Sequence, residues 1–218
     1  MPGVTPDPFL TVRPSPHALA LAGVDLLNAS PPVVRVDEAG EIAVVLSRSR
    51  DPRREVFLER CADDSVPVVV RPSGGGAVVL APGTVAASVV LPAAAAERFP
   101  EPHFRRLCGA VAAALSGCGV RGISMRGVSD LCLSDRKIAG SSLRLWRERL
   151  LFQIAVLVDS DTDLLERYLR HPSREPEYRR GRSHRDFVTS LRAAGFRLTA
   201  AEASAALRAR LEREAARC

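Results

Sequence analysis

The sequence predicts an α+β fold, and three features of the chain support that class. Strand-length apolar runs, such as residues 41–46 and 150–158, recur along the chain. Longer segments rich in Ala and Leu, such as residues 102–116, lie between them. The connections are short and carry Gly, Pro, Asp and Ser, which are typical of turns. Periodicity of this kind predicts the type of each element, but not the order of strands in a sheet.

In the first half of the chain, helices are expected at residues 16–28 and 52–63, the second starting with Pro at a position that helices tolerate. Apolar runs predict strands at residues 41–46, 66–71 and 84–91. Residues 73–83 start with a glycine-rich loop and re-enter a strand. We therefore expect a hairpin between that strand and the strand at 84–91.

In the second half, a helix at residues 102–116 ends at Gly117, a residue typical of helix ends. Four further strands are predicted, at residues 120–125, 129–133, 137–145 and 150–158. A polar connection is expected at residues 171–183, and helices at residues 162–169, 186–194 and 199–216.

Composition indicates an ordinary globular protein with 46% hydrophobic and 26% charged residues. No apolar run reaches membrane-spanning length without a polar residue or Pro, and the N-terminus lacks a signal pattern, so we expect a cytoplasmic protein with no membrane partner. The five cysteines show no metal-ligand spacing and are expected to be free thiols. The net charge of +6 favours an acidic partner; few aromatics interleave the basic residues, so nucleic acid is not expected.

Lys137 is the only lysine, and the other 30 of the 31 basic residues are arginines. Arg carries a broad planar fork, whereas Lys carries a compact charge on a slim stem. A narrow site that contacts two groups of a small substrate therefore favours Lys. The alternative is that Arg-rich composition left one lysine here by chance.

A glycine-rich loop follows Arg71, in the segment Arg-Pro-Ser-Gly-Gly-Gly-Ala-Val at residues 71–78. Consecutive glycines let the backbone approach a ligand and direct N–H groups at a phosphate or carboxylate. The segment is neither a Walker A loop nor a dinucleotide-binding motif. A flexible loop without function is the other interpretation.

Asp130 precedes Lys137 by seven residues on a predicted strand. Strand alternation places Asp130, Cys132 and Ser134 on one face if the strand is regular. A carboxylate there can bind Mg²⁺ or a ligand hydroxyl, or simply lie at a strand edge. Cys132, between two leucines, is interpreted as a small buried hydrophobic residue.

Taken in order, these motifs resemble the lipoate-protein ligase family, within the biotin/lipoate ligase and octanoyltransferase superfamily. The resemblance rests on the glycine segment at 71–78, on Asp130-Leu131, and on Arg-Lys-Ile-Ala-Gly-Ser at 136–141; the strand-turn-helix pattern at 45–56 adds to it. It covers residues 17–192 at the level of motif order.

The resemblance implies a mixed, mainly antiparallel sheet flanked by helices, like the catalytic domain of biotin and lipoate ligases. It implies one domain over residues 1–218, with its core at about 17–192, a C-terminal helical tail at 199–216 and no accessory C-terminal domain. The implied activity uses ATP and Mg²⁺ to convert lipoate, or octanoate, into an acyl-adenylate. The acyl group then passes to a lysine of a lipoyl domain, in a 2-oxoacid dehydrogenase E2 subunit or the glycine cleavage H protein.

The resemblance also assigns roles to residues. Arg71 would bind a nucleotide phosphate, and Asp130 would lie near the adenylate or its Mg²⁺. Lys137 would be catalytic, contacting the lipoyl carboxyl oxygen and the α-phosphate. The remaining nucleotide-binding positions are Ser73, Gly74, Gly75, Gly76, Ala77, Val78, Val79 and Gly140. The strands around residues 68–70 and 78–80 would contribute to an apolar tunnel for the lipoyl tail.

The chain departs from the family pattern in two places. Thr84 follows Gly83 where the family usually has Asn, and Phe-Gln-Ile-Ala at residues 152–155 replaces His-Gly-Thr. Three alternatives therefore stay open: a ligase that needs a separate accessory chain, an ATP-independent octanoyl or lipoyl transferase with a cysteine nucleophile, and a non-catalytic protein that binds lipoyl or nucleotide ligands.

Overall fold

Two sheets organise the chain in the computed structural model, which describes residues 12–93 and 99–217. These residues form nine strands: β1 (Val33–Glu38), β2 (Ala43–Ser47), β3 (Val68–Arg71), β4 (Ala77–Leu80), β5 (Thr84–Pro92), β6 (Ile123–Arg126), β7 (Asp130–Leu133), β8 (Arg136–Trp146) and β9 (Arg149–Leu157).

The larger sheet has six strands in the order β1-β5-β9-β8-β7-β6, and every neighbouring pair in it is antiparallel. The smaller sheet has the order β3-β2-β4, with β2 parallel to β3 and antiparallel to β4. The predicted α+β class, with a mixed and mainly antiparallel arrangement flanked by helices, is confirmed.

The described residues also form seven α-helices: α1 (Pro16–Leu21), α2 (Pro52–Glu55), α3 (Leu58–Asp63), α4 (Pro100–Gly117), α5 (Asp163–Tyr168), α6 (His184–Phe187) and α7 (Ala200–Ala215). Local sequence explains several of the helix starts. The Ser15 and Asp51 side chains cap α1 and α2, and Thr199 and Glu202 form a reciprocal capping box on α7. Short 3₁₀ helices lie at Asp25–Asn28 and Glu177–Arg179.

The main core lies between the larger sheet and the helices α4 and α7. Leu107 and Leu115 of α4, Phe152 of β9, and Leu207 and Leu211 of α7 are fully buried there. Burying side chains of this size stabilises the fold by about 1.5–3 kcal/mol each. A separate apolar cluster, which includes Leu21, Val45, Leu80 and Ala86, connects α1 and the smaller sheet to the opposite face of the larger one.

The predicted hairpin at residues 73–91 is wrong. β4 pairs with β2 and β5 pairs with β1 and β9, so the two strands belong to different sheets. The turn at Gly83 carries the chain from one sheet to the other. Two adjacent apolar strands look alike in sequence whether they pair with each other or diverge.

The predicted helix at residues 186–194 is also wrong. α6 ends at Phe187, and Val188 then forms a parallel bridge with Lys137. The Leu191 and Arg192 N–H groups donate to the carbonyls of Leu157 and Val158. Long-range pairing with β8 and the end of β9 has therefore overridden the local helical spacing.

Three smaller differences have similar causes. The predicted helix at 16–28 is α1 followed by a 3₁₀ helix, with a positive φ at Gly23 between them. The predicted helix at 52–63 is α2 and α3, because Val56 bridges Leu169 between them. β1 was not predicted. Across residues 12–93 and 99–217, no helix combines the length and apolar character needed to cross a bilayer.

We predict that Gly83→Ala will destabilise the fold more than Gly119→Ala. Both glycines have positive φ, +83° and +90°. A Cβ at Gly83 would lie 2.6 Å from the Asp159 carbonyl carbon, whereas a Cβ at Gly119 would meet open space. Backbone strain should cost about 1–2 kcal/mol at either position, and the clash should add about 1–3 kcal/mol at Gly83. Urea unfolding of both variants measures the difference, and equal losses would contradict the prediction.

Candidate functional site

A cleft of about 590 Å³ lies between the two sheets, a volume typical of small-molecule sites. The glycine-rich loop, defined as residues 73–76, borders it on the side of the smaller sheet, and β7 and β8 border it on the side of the larger sheet. A covering segment, defined as residues 170–183, also contributes to the wall. The lining side chains are mixed, with an apolar portion that includes Leu21, Val45, Leu80, Ala86 and Ile154.

A β-bulge in β8 brings the polar residues of the cleft onto one face. β7 and β8 pair Cys132 with Lys137 and Asp130 with Gly140, and the register shifts by one residue between these pairs. Ile138 is the extra residue, and its side chain is fully buried in the core. Directly opposed residues of antiparallel strands share a face. Lys137 and Gly140, three positions apart, therefore share a face with Asp130, which a regular strand would not allow.

Lys137 is held across this face by an ion pair. Its Nζ lies 2.7 Å from Asp130 Oδ1, and its side chain remains 27% exposed toward the cleft whereas that of Asp130 is 9% exposed. The lysine side chain passes directly over Gly140, where an added Cβ would lie 2.7 Å from both Cε and Nζ. Gly140 thus leaves the space through which Lys137 reaches Asp130.

Tyr178, from the covering segment, completes the arrangement. Its hydroxyl donates to Asp130 Oδ2 over 2.7 Å and lies 3.6 Å from Cys132 Sγ. Burial, together with the charge of Asp130, raises the pKa of the Tyr178 hydroxyl, so this group remains a hydrogen-bond donor at neutral pH. Both Asp130 oxygens therefore have a partner.

The Asp130 carboxylate does not form a ready Mg²⁺ site. One oxygen faces Lys137 and the other accepts from Tyr178, and the described residues contain no cluster of three side chains that could hold a metal ion. Mg²⁺ is usually bound by one or two carboxylates together with substrate phosphates and water. The described residues therefore provide no Mg²⁺ site made by the protein alone, and Asp130 as a metal ligand stays a prediction.

Arg71 organises the glycine-rich loop from below. It is buried, and its guanidinium donates to the Gly74 carbonyl over 2.6 Å, the Gly76 carbonyl over 2.8 Å and the Val45 carbonyl over 3.2 Å. Burial lowers the pKa of Arg71 to about 10, so the group is still charged at neutral pH. Gly75 has a φ of +97°, and a Cβ there would lie 2.9 Å from Arg71 Nη2. The loop therefore curls around the guanidinium.

A buried polar cluster joins the glycine-rich loop to the larger sheet. Ser73 Oγ donates to Gln153 Oε1 over 2.5 Å and lies 2.8 Å from Ser142 Oγ. Gln153 Nε2 donates to the Ala22 carbonyl and to Ser88 Oγ. Gln153, one of the residues that depart from the family pattern, thus connects the loop, α1 and β5 at the floor of the cleft.

The structure brings most of the predicted site residues to this cleft. Its walls include Arg71, Gly75, Gly76, Ala77, Val78, Asp130, Lys137 and Gly140. Ser73 and Gly74 lie behind the wall and support it through hydrogen bonds. Val79 is buried in the core between the smaller sheet and α5.

Sequence reasoning missed the covering segment, which it treated as a polar connection. Pro172, Arg174, Glu175, Pro176 and Arg179 line the cleft, and Arg50 links the segment to the glycine-rich loop through Ser173 Oγ and the Gly75 carbonyl. The one local signal was Tyr178, one of only two tyrosines in the chain.

None of the four described cysteines belongs to the cleft wall. Cys108 and Cys132 are fully buried. Burial raises the pKa of Cys108 to about 11 and also raises the pKa of Cys132. Reactive thiols are typically accessible and have a lowered pKa. The interpretation of Cys132 as a small buried side chain is confirmed.

The fold and the cleft define an α+β protein with a small-molecule site that presents one ammonium group beside a glycine-rich loop. The chain belongs to the lipoyl protein ligase A/B catalytic domain family, whose model matches residues 21–212. The predicted family is thereby confirmed. This chain is 28% identical over 138 residues to a lipoate–protein ligase of Streptococcus pyogenes, and the alignment covers 63% of this chain and 40% of that protein. The chain spans only 35–40% of the length of the relatives it matches in sequence.

Solved structures confirm the fold. A bi-partite lipoate protein ligase from Thermoplasma acidophilum, described with its E2 lipoyl domain, gives a TM-score of 0.75 at 22% identity over 89% of this chain and 77% of that one. A lipoate-protein ligase A bound with ATP gives 0.74 at 22% identity, over 90% and 79% of the two chains.

We predict that Arg71→Lys will loosen the glycine-rich loop. A lysine ammonium is unable to reproduce the planar fork that reaches three carbonyls, so buried acceptors lose their partners, at about 1–3 kcal/mol each. Hydrogen exchange at residues 73–77 should accelerate relative to the wild type. Arg144→Lys, which affects a single bond to the Pro72 carbonyl, is the control. Unchanged protection of residues 73–77 in Arg71→Lys would contradict the organising role of Arg71.

Proposed function

We propose that this chain is the catalytic domain of an ATP-dependent lipoate–protein ligase. The observation that carries the proposal is the Lys137 ammonium, held by Asp130 over Gly140 and directed into the cleft beside the glycine-rich loop. Family membership and the fold of structures that contain ATP support it.

In the first proposed step, a lipoate carboxylate oxygen attacks the α-phosphorus of ATP. A carboxyl–phosphate bond forms and pyrophosphate leaves with the electrons of the broken P–O bond. Negative charge accumulates on the carboxyl and α-phosphate oxygens, and a fixed ammonium between them stabilises that charge without reorganisation. Lys137 suits this role because its slim stem passes directly over Gly140, whereas a guanidinium is a broader, planar group.

The other residues of the cleft would bind and orient the substrates. Backbone N–H groups of the glycine-rich loop would face the phosphates, with the loop curvature set by Arg71. Within residues 12–93 and 99–217, Arg71 Nε has no hydrogen-bond partner, and a phosphate contact by Arg71 remains part of the proposal. The apolar part of the cleft, near Leu21, Val45 and Leu80, would take the acyl tail. Mg²⁺ would enter with the ATP phosphates.

In the second proposed step, the neutral ε-amine of an acceptor lysine attacks the acyl carbon. An amide forms, AMP leaves, and the amine proton passes to solvent. The acceptor would be a lipoyl domain of a 2-oxoacid dehydrogenase E2 subunit or the glycine cleavage H protein. The net charge of +6 favours an acidic acceptor. We include a separate accessory chain as a possible requirement, since the Thermoplasma relative is bi-partite.

We predict that the chain, with ATP, Mg²⁺ and lipoate, will release pyrophosphate and add one lipoyl mass to an E2 lipoyl domain or H protein. The assay is run with and without a candidate accessory chain. Cys132→Ser should retain activity, because that thiol is buried outside the cleft wall. The transferase would be established instead by two results together. No pyrophosphate would be released under either condition, and the chain would transfer an acyl group from an octanoyl carrier protein in a reaction that Cys132→Ser abolishes. Neither reaction, with lipoate binding retained, would indicate the non-catalytic alternative.

We also predict that Lys137→Arg will fold normally but lower adenylate formation by about 100-fold or more, as expected for loss of a transition-state contact. The variant keeps the positive charge but replaces the compact ammonium with a planar guanidinium. Gly140→Ala, which keeps the charge and the lysine but fills the space beneath it, should also lower activity. Full activity of Lys137→Arg, measured as pyrophosphate release, would remove the main support for the proposed role.

A further inference from the structure

Tyr178 is connected to Lys137 through a single shared carboxylate. The Tyr178 hydroxyl is 2.7 Å from Asp130 Oδ2, and Lys137 Nζ is 2.7 Å from Asp130 Oδ1. We propose that Tyr178 is a positioning residue, which orients the lysine ammonium by fixing the rotation of the Asp130 carboxylate. This inference rests on the proposed function and adds a residue that contacts neither substrate.

The geometry of Asp130 explains why a second anchor matters. The terminal torsion of an Asp side chain is broad and roughly two-fold, so the backbone alone does not fix the direction of its oxygens. A hydrogen bond to one oxygen fixes the other as well, because the carboxylate is planar. With Oδ2 held by Tyr178, Oδ1 is directed at Lys137. Charge-assisted hydrogen bonds of this length are among the stronger ones in proteins.

Tyr178 is itself held from several sides. Its ring packs on Phe187 with centroids 5.2 Å apart, and the Arg126 guanidinium lies 6.0 Å from the ring centroid. A Cβ at Gly127 would come within 3.5 Å of the ring, so the β6–β7 turn also approaches it closely. These contacts restrict the orientation of the ring and so fix the position of its hydroxyl next to Asp130.

The covering segment around Tyr178 is tied to the turn that precedes Lys137. Arg182 donates to the Asp135 carboxylate over 2.9 Å and to the Tyr178 carbonyl over 3.1 Å. Arg136 donates to the Val188 carbonyl, and Val188 bridges Lys137. These bonds fix the position of the covering segment relative to the start of β8. The Tyr178 hydroxyl and Lys137 are therefore held at a fixed distance from each other.

The chain offers a matched control in Tyr168, its only other tyrosine. The Tyr168 hydroxyl also donates to an aspartate, Asp64 Oδ2, over 2.8 Å, but Tyr168 does not line the cleft. Tyr178→Phe and Tyr168→Phe thus each delete one tyrosine-to-aspartate hydrogen bond. We expect Tyr178→Phe to lower kcat for pyrophosphate release by about 10- to 100-fold, with KM for ATP and lipoate changed by less than about threefold. Tyr168→Phe should stay within about twofold of the wild type in both constants.

A double-mutant cycle separates positioning from a general structural role. If Tyr178 acts through Asp130, then adding Tyr178→Phe to Asp130→Ala should cause no further loss of kcat. Independent, multiplicative losses from the two substitutions would overturn the proposal, and so would a wild-type kcat in Tyr178→Phe. Urea unfolding of each variant shows whether it folds.

The single lysine provides a readout that needs no activity. In the NMR spectrum of protein labelled with ¹³C-lysine, only Lys137 gives lysine signals. If its side chain is fixed, its two ε-methylene protons should have different chemical shifts. We expect these to become equivalent in Tyr178→Phe and to stay distinct in Tyr168→Phe. If Tyr178→Phe does not fold, Asp130→Asn replaces it: its amide N–H donates to the Tyr178 oxygen while its amide oxygen accepts from Lys137. The two protons should then stay distinct, whereas in Asp130→Ala they should become equivalent.

These outcomes distinguish the two proposals. If the protein never releases pyrophosphate but Tyr178→Phe changes the lysine signal, the ligase proposal is refuted. The proposal that Tyr178 positions Lys137 is then still supported. An active wild type whose Tyr178→Phe variant keeps both its lysine signal and its kcat would retain the ligase and refute the role of Tyr178.

Discussion

The one-residue bulge at Ile138 is the constraint on which the site depends. In a regular strand, Lys137 and Gly140 would lie on opposite faces of the larger sheet. The shift between the Cys132–Lys137 and Asp130–Gly140 pairs places them on the same face. Ile138, buried in the core, holds this interruption in place. The ion pair and the position of Gly140 beneath the lysine both follow from it.

A second dependence concerns the glycine-rich loop, which belongs to the other sheet. Arg71 donates to the Gly74 and Gly76 carbonyls of the loop, and Ser73 connects the loop to Gln153 on β9. Polar groups buried in this way are costly unless they are satisfied, so the network favours one loop conformation. Gln153, one of the residues that depart from the family pattern, therefore stabilises the cleft through the hydrogen bonds of its amide. Hydrogen bonds between the two sheets thus fix the geometry of the cleft that lies between them.

Sequence reasoning located the elements whose apolar pattern is long and regular. The helix expected at residues 102–116 is observed as Pro100–Gly117, and the strand expected at 150–158 as Arg149–Leu157. It failed where pairing partners are distant in sequence. Residues 186–194 have helical spacing, yet their backbone groups bond to the ends of β8 and β9. The strands β4 and β5 are adjacent along the chain and belong to different sheets.

By itself, the sequence determined the family and the residues of the candidate site, because a lone lysine, three consecutive glycines and an aspartate are readable without coordinates. Tertiary structure alone decided how they meet. It assigned Arg71 to the carbonyls of its own loop, directed the Asp130 oxygens to Lys137 and Tyr178, and brought the covering segment to the cleft. The Arg71 and Lys137 contacts are close in sequence and depend on the loop conformation and on the bulge in β8. The contacts of the covering segment join distant residues, such as Asp130 and Tyr178 with a separation of 48. Local periodicity carries no information about contacts at that distance.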